Sequence, residues 1–102
     1  MKILTVDLED WFHLLDNSTT GGPETWDSFE SRVEIATQDL LDLFDQYSVK
    51  ATFFVLGWIA SKYPDLVAEV KNRGHEIACH SHSHQLVYEQ SPLEFEKDLV
   101  LA

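Results

Sequence analysis

The 102-residue sequence predicts an α/β fold in which parallel strands alternate with helices. Three observations carry this reading. Short apolar, β-favouring runs occur at 3–6, 51–56 and 76–79; capped amphipathic stretches separate them; and dense polar clusters stand where the first and third runs end.

Ile3 to Val6 is a continuous apolar run, the pattern of a strand buried on both faces, and the acids Asp7, Glu9 and Asp10 follow it. Residues 16–28 include Asn17, Ser18, Thr19, Thr20, Gly21, Gly22 and Pro23, a loop composition with Trp26 as its anchor. Ser31-Arg32-Val33-Glu34 reads as a capping box opening a helix with the apolar stripe Val33, Ala36, Leu40, Leu43, Phe44 and Tyr47. Asp39, Asp42 and Asp45 take the opposite face. Ala51 to Leu56 is the second buried strand, closed by Gly57, and a short helical turn from Trp58 to Lys62 leads to Pro64 at the start of another helix. That helix turns Leu66, Val67 and Val70 inward, carries Lys71 and Arg73 in its last turn and stops at Gly74. Glu76-Ile77-Ala78-Cys79 is the third strand, with Cys79 a small core residue, and it runs into His80-Ser81-His82-Ser83-His84. Ser91-Pro92-Leu93-Glu94 supplies a capping Ser, a first-turn Pro and a capping-box Glu, with Phe95, Leu99 and Ala102 following at helical spacing. The stripe reaches Ala102 without a C-cap, as expected if residues 1–102 are the N-terminal portion of a longer domain.

Seven Lys and Arg against 18 Asp and Glu give a net charge of −11, which repels phosphate backbones and anionic lipid, and no basic patch interrupts it. Nucleic acid is therefore excluded as a partner. Met1-Lys2 is followed by too few apolar residues before Asp7 for a secretory leader, and nothing approaches a membrane span. A single cysteine excludes an internal disulfide and fits a reducing compartment, so the expected location is cytoplasmic.

In open parallel sheets and α/β barrels, binding and catalytic groups gather at the carboxyl ends of the strands, where both polar clusters lie. Asp7-Leu8-Glu9-Asp10 sets three carboxylates within four residues, a repulsive arrangement unless a cation or water compensates. In isolation it would read as a solvated acidic turn. His80 and His84 are four apart, so in a helical turn their imidazoles share one face and one metal. A carboxylate from the neighbouring strand end would complete a set of two imidazoles and one carboxylate that leaves positions for water and substrate.

These motifs resemble a known family. Thr5-Val6-Asp7-Leu8-Glu9-Asp10 is similar to the first motif of the polysaccharide deacetylases with NodB homology, carbohydrate esterase family 4. His80-Ser81-His82-Ser83-His84 matches their H-[ST]-x-x-H second motif, and ATFFVLG and RGHEIACHSHSH resemble their linking segments. The variant VDLEDWFH looks most like the subgroup associated with exopolysaccharide gene clusters and exosortase systems. The resemblance implies the N-terminal part of a distorted (β/α) barrel and metal-dependent hydrolysis of N-acetyl groups on an amino-sugar glycan. It implies a divalent metal, zinc first, on His80 and His84, with Asp7 as general base. The common family pattern has two adjacent aspartates as base and ligand; here Leu8 follows Asp7, so the carboxylate ligand is Glu9 or Asp10. Strand alternation places Glu9 on the same side as Asp7 and favours it. The general acid implied by the family is a histidine of a later motif, which none of His13, His75 or His82 matches.

Of the remaining polar and aromatic residues, His75 reads as structural, His82 as solvent-exposed, and His13 as either a cleft or a packing residue. Trp11, Phe12 and Trp26 read as core before sugar-stacking groups, and Thr5 and Ser81 as hydrogen-bonding support for the site. Two other readings compete with the deacetylase: a non-catalytic metal- or glycan-binding module, and a cyclic amide hydrolase resembling allantoinase. Asp7 discriminates against the first, because a binding module needs no free base beside its cation.

Overall fold

Three parallel strands, β1 (Thr5–Leu8), β2 (Thr52–Val55) and β3 (Glu76–Cys79), form one sheet in the order β1-β2-β3. The structure is a computed structural model, and it describes residues 1–15 and 21–102. The predicted loop residues Asn17 to Thr20 lie outside the described residues. The register is even: Leu8 pairs with Val55 and Val55 with Cys79, so all three strands end on one line. Glu9 and His80 therefore leave the sheet on the same side, with β2 between them.

β2 is the central strand. Phe53 is fully buried, and Val55 and Leu56 beside it join a core that also holds Leu8, Phe12, Leu41, Ile59, Leu66 and Val70. The flanking strands correct two expectations. Ile3 is 78% exposed and Leu4 is also exposed, so the first apolar run is not covered on both faces, and Cys79 is exposed rather than core. The reason is common to both: β1 and β3 are the two edges of the sheet, and no further strand flanks them among the described residues.

The helices follow the predicted order. Helix α1 (Val33–Gln46) buries Val33, Thr37, Leu41 and Phe44, a stripe rotated from the predicted one, so that Ala36, Leu43 and Tyr47 face outward. Its predicted Ser31 capping box does not form; the cap comes from a residue far upstream, Asp10. The short helix α2 (Gly57–Lys62) leads into α3 (Pro64–Asn72), which buries Leu66 and Val70 and opens on Pro64 as expected. Arg73 ties α3 to α1 through Glu69, Asp42 and Asp45. Gly74, at φ +87°, makes the left-handed turn that sends the chain into β3. At the start of that strand His75 is buried against Phe44 and Phe53, and its Nδ1 accepts from the Ala51 amide at 3.1 Å, a structural role as expected.

Helix α4 (Pro92–Leu101) starts with the predicted capping box: Ser91 Oγ accepts from the Glu94 amide at 3.3 Å, and Glu94 Oε2 from the Ser91 amide at 2.7 Å. Its predicted apolar stripe is not buried, for Phe95, Leu99 and Ala102 are exposed. No described helix is long and apolar enough to cross a membrane.

Candidate metal centre

Past the ends of β1 and β3, Glu9, His80 and His84 converge, each offering a ligand atom within 4.8 Å of the others. Glu9 Oε2 lies 3.2 Å from His84 Nδ1 and 4.0 Å from His80 Nε2. Both Glu9 Oε2 and His80 Nε2 are buried without a hydrogen-bond partner. Burial raises the Glu9 carboxyl above its ordinary range; the two imidazoles pull it back down, and Asp7 pushes it further up. A buried carboxylate oxygen and a buried imidazole nitrogen left unsatisfied beside each other are costly in the bare protein, and a cation relieves both at once. The residues present therefore fit a divalent metal.

His84 is oriented by a contact that sequence reading missed. Its Nδ1 lies 2.7 Å from the His13 carbonyl oxygen, which can only accept, so Nδ1 carries the proton and the other ring nitrogen keeps its lone pair. That carbonyl is held in place by the 3-10 turn Trp11–His13, which Asp10 caps: Asp10 accepts from the Trp11 amide at 2.9 Å, and His13 Nδ1 accepts from the Asp10 amide at 2.8 Å. His13 is buried against Phe12, Trp26 and Trp58. Burial holds its imidazole down at about 4, with Asp10 pulling upward and His84 adding to the depression.

Asp10 itself stays out of the cluster. Besides Trp11, its carboxylate accepts from Ser31 Oγ at 2.5 Å, from the Arg32 amide at 3.1 Å and from the Val33 amide at 3.3 Å. Asp10 thus caps the N-terminus of α1, and the predicted alternative ligand is a capping residue. Asp7, on β1 two residues before Glu9, is exposed and close enough for its charge to act on Glu9.

The loop between the histidines is held from several sides. Ser81 O accepts from the Gly57 amide at 2.8 Å and His82 O from the Trp58 amide at 3.2 Å, both at the start of α2. Gly57 is required there, since a Cβ would come within 2.6 Å of His82 Nδ1 and 3.0 Å of His82 Cα. His82 is half-buried against that glycine rather than solvent-exposed as predicted. Ser81 supports the site as expected, its Oγ accepting from the His84 amide at 3.1 Å. Thr5 does not, being exposed at the far end of β1. Phe12 and Trp26 are core, and Trp11, 38% exposed, donates from Nε1 to the Glu30 carbonyl at 3.0 Å.

Comparison with known proteins agrees with this architecture. Residues 18–102 match the family model described as polysaccharide deacetylase, and the chain belongs to that family, the NodB-homology group of carbohydrate esterase family 4. It is 38% identical over 64 residues to a peptidoglycan-N-acetylglucosamine deacetylase of Bacillus cereus, covering 63% of this chain and 23% of that protein. It is 33% identical over 76 residues to a chitooligosaccharide deacetylase of Sinorhizobium fredii, covering 74% of this chain and 35% of that protein. The matched part of the chain thus spans 23% to 35% of these relatives' lengths. The solved peptidoglycan deacetylase PdaC of Bacillus subtilis superposes over 97% of this chain and 38% of its own, with a TM-score of 0.67 and 28% identity. A peptidoglycan N-acetylglucosamine deacetylase solved in complex with an N-hydroxybenzamide superposes over 64% of this chain and 30% of its own, with a TM-score of 0.61 and 37% identity. The three-stranded sheet with its helices is the N-terminal part of the (β/α) barrel these proteins share.

Proposed function

We propose that this chain carries the metal-binding end of an enzyme that hydrolyses N-acetyl groups on an amino-sugar polymer, with Glu9, His80 and His84 as ligands of one divalent cation and Asp7 as general base. The observation that carries this reading is the convergence of the three ligand atoms within 4.8 Å from two separate strand exits. Two imidazoles and one carboxylate form a donor set that suits zinc and leaves positions for water and substrate. The N-hydroxybenzamide bound by the relative adds support, because hydroxamates chelate divalent cations through two oxygens.

Glu9, His80 and His84 would hold the cation, which would supply Lewis-acid polarisation of the amide carbonyl and activation of water. The residues of this chain have three parts in the reaction. Asp7, exposed beside Glu9, accepts the proton of the attacking water as the new C–O bond forms. Glu9 supplies the negative charge that holds the cation, and the His13 carbonyl keeps the His84 ring turned toward it. Water adds to the acetyl carbon, and the C–N bond breaks as the leaving nitrogen takes a proton from a general acid, the part that the family resemblance gives to a histidine of a later motif, so that acetate and a free amine on the sugar result.

The test is cation content after zinc loading and desalting, for the full-length native protein and its His84→Ala and Asp7→Asn variants, each shown to be folded by circular dichroism, alongside acetate release from N-acetylated oligosaccharides by the same full-length proteins. About one zinc per native chain, its loss in His84→Ala, and a zinc-loaded but inactive Asp7→Asn are the expected results. A folded native protein that retains no zinc overturns the metal reading. Loss of zinc in Asp7→Asn makes Asp7 a ligand, and zinc binding with no acetate release by the native protein favours the binding module.

A further inference from the structure

Helix α4 buries only one side chain among the described residues, and it is a carboxylate. Asp98 is 8% exposed, whereas Leu93, Leu99, Val100 and Leu101 on the same helix are more than half exposed. This inverts the usual amphipathic pattern, in which the apolar face is covered and the charges are solvated. Both oxygens of the buried carboxylate accept hydrogen bonds. Oδ2 accepts from the His82 amide at 2.8 Å, and Oδ1 accepts from the Ser83 amide at 2.9 Å and from the Ser83 hydroxyl. His82 and Ser83 are two of the three residues between His80 and His84.

That intervening backbone needs holding. Ser81 and His84 have φ of +57° and +54°, left-handed conformations that cost a non-glycine residue about 1 kcal/mol or more each. The amides of Gly57 and Trp58 fix the Ser81 and His82 carbonyls from one side through main chain alone. Asp98 fixes the His82 and Ser83 amides from α4, and this hold depends on a side chain. With neither, two adjacent peptide units would be free to rotate, and the imidazoles on either side of them would no longer converge on Glu9.

We propose that Asp98 is a positioning residue of the cation site: its carboxylate clamps the His82–Ser83 backbone so that His80 and His84 face Glu9 together. This rests on the metal reading given above. It makes α4 an integral part of the site, although the helix contributes no ligand.

The test compares native protein, Asp98→Asn and Ser83→Ala for zinc affinity by competition with a chelator and for the visible absorption of the cobalt-loaded protein, well below the unfolding transition of each. Asp98→Asn keeps size and shape but replaces one acceptor oxygen with an N–H group that opposes an amide donor. The expected result is zinc bound about 10- to 100-fold more weakly, with a changed cobalt spectrum, the scale typical of losing a group that orients a ligand. Ser83→Ala removes one of three donors and should weaken binding about three- to tenfold, at or below the lower end of that scale. A folded Asp98→Asn with native affinity and native cobalt spectrum overturns the proposal, because a purely structural role lowers the melting temperature without moving either readout. If Asp98→Asn does not fold, native affinity in Ser83→Ala overturns it. A native protein that binds neither metal overturns the underlying metal reading instead.

Discussion

Glu9 and Asp10 are adjacent acids at the exit of β1, and their surroundings are opposites. Asp10 is buried with four donors from the chain itself: two amides at the start of α1, the Ser31 hydroxyl and the Trp11 amide. Glu9 is turned to the other side, where its Oε2 is buried with two imidazoles nearby and no hydrogen bond. One carboxylate completes the fold and the other is left incomplete by it. The difference teaches where to look for function: a buried acid that the chain saturates is structural, while one left unsaturated among further ligand atoms is set up for an external cation.

Glu9→Gln should widen this contrast most. With the proposed anionic ligand gone, zinc affinity should fall more than about a thousandfold, roughly 4 kcal/mol, while metal-free stability in urea changes by less than about 1 kcal/mol. Isothermal titration measures the first, and an unchanged affinity would erase the distinction between the two acids. Asp10→Ala should act the other way, costing about 3 to 4 kcal/mol of stability, since it leaves the α1 cap and several partly buried donors unpaired. Denaturant midpoints check this, and a neutral result would mean the capping network is dispensable.

The smallest expected effect sharpens the comparison through pH. His13, which packs behind Asp10, is held neutral down to about 4 from an ordinary 6.5, so below 6.5 the unfolded chain binds its proton more readily than the folded one. Its contribution to stability is thus complete above 6.5 and is lost as pH falls toward about 4. His13→Asn, which keeps an acceptor for the Asp10 amide, should flatten the stability profile across that window by about 1 to 3 kcal/mol relative to the native protein. Superimposable profiles would show that His13 is not the titrating group.

Much of the site was legible in the sequence because its chemistry is concentrated in short motifs. The spacing of His80 and His84 and the acids directly after the first apolar run nominate two imidazoles and one carboxylate, and strand alternation favours Glu9 as that carboxylate. Asp98 was not legible: an aspartate on a helix normally reads as solvated surface, and nothing local announces that it is buried 14 residues beyond His84. The true cap of α1 was hidden for a similar reason. Ser31-Arg32-Val33-Glu34 satisfies the local capping pattern, but Asp10 arrives from 21 residues upstream and takes the donors.

Sequence alone determined the element order, the parallel sheet and the two polar strand exits, because apolar runs, caps and turn residues act over a few positions. Tertiary structure decided what depends on the alignment of distant segments: the even register that brings Glu9 near His80, the choice of Glu9 over Asp10 at the cluster, and the outward rotation of the α4 apolar residues around a buried Asp98. It also decided that the His13 carbonyl faces His84, 71 positions away, and hydrogen-bond saturation of that kind is a property of packed neighbours that no local pattern encodes.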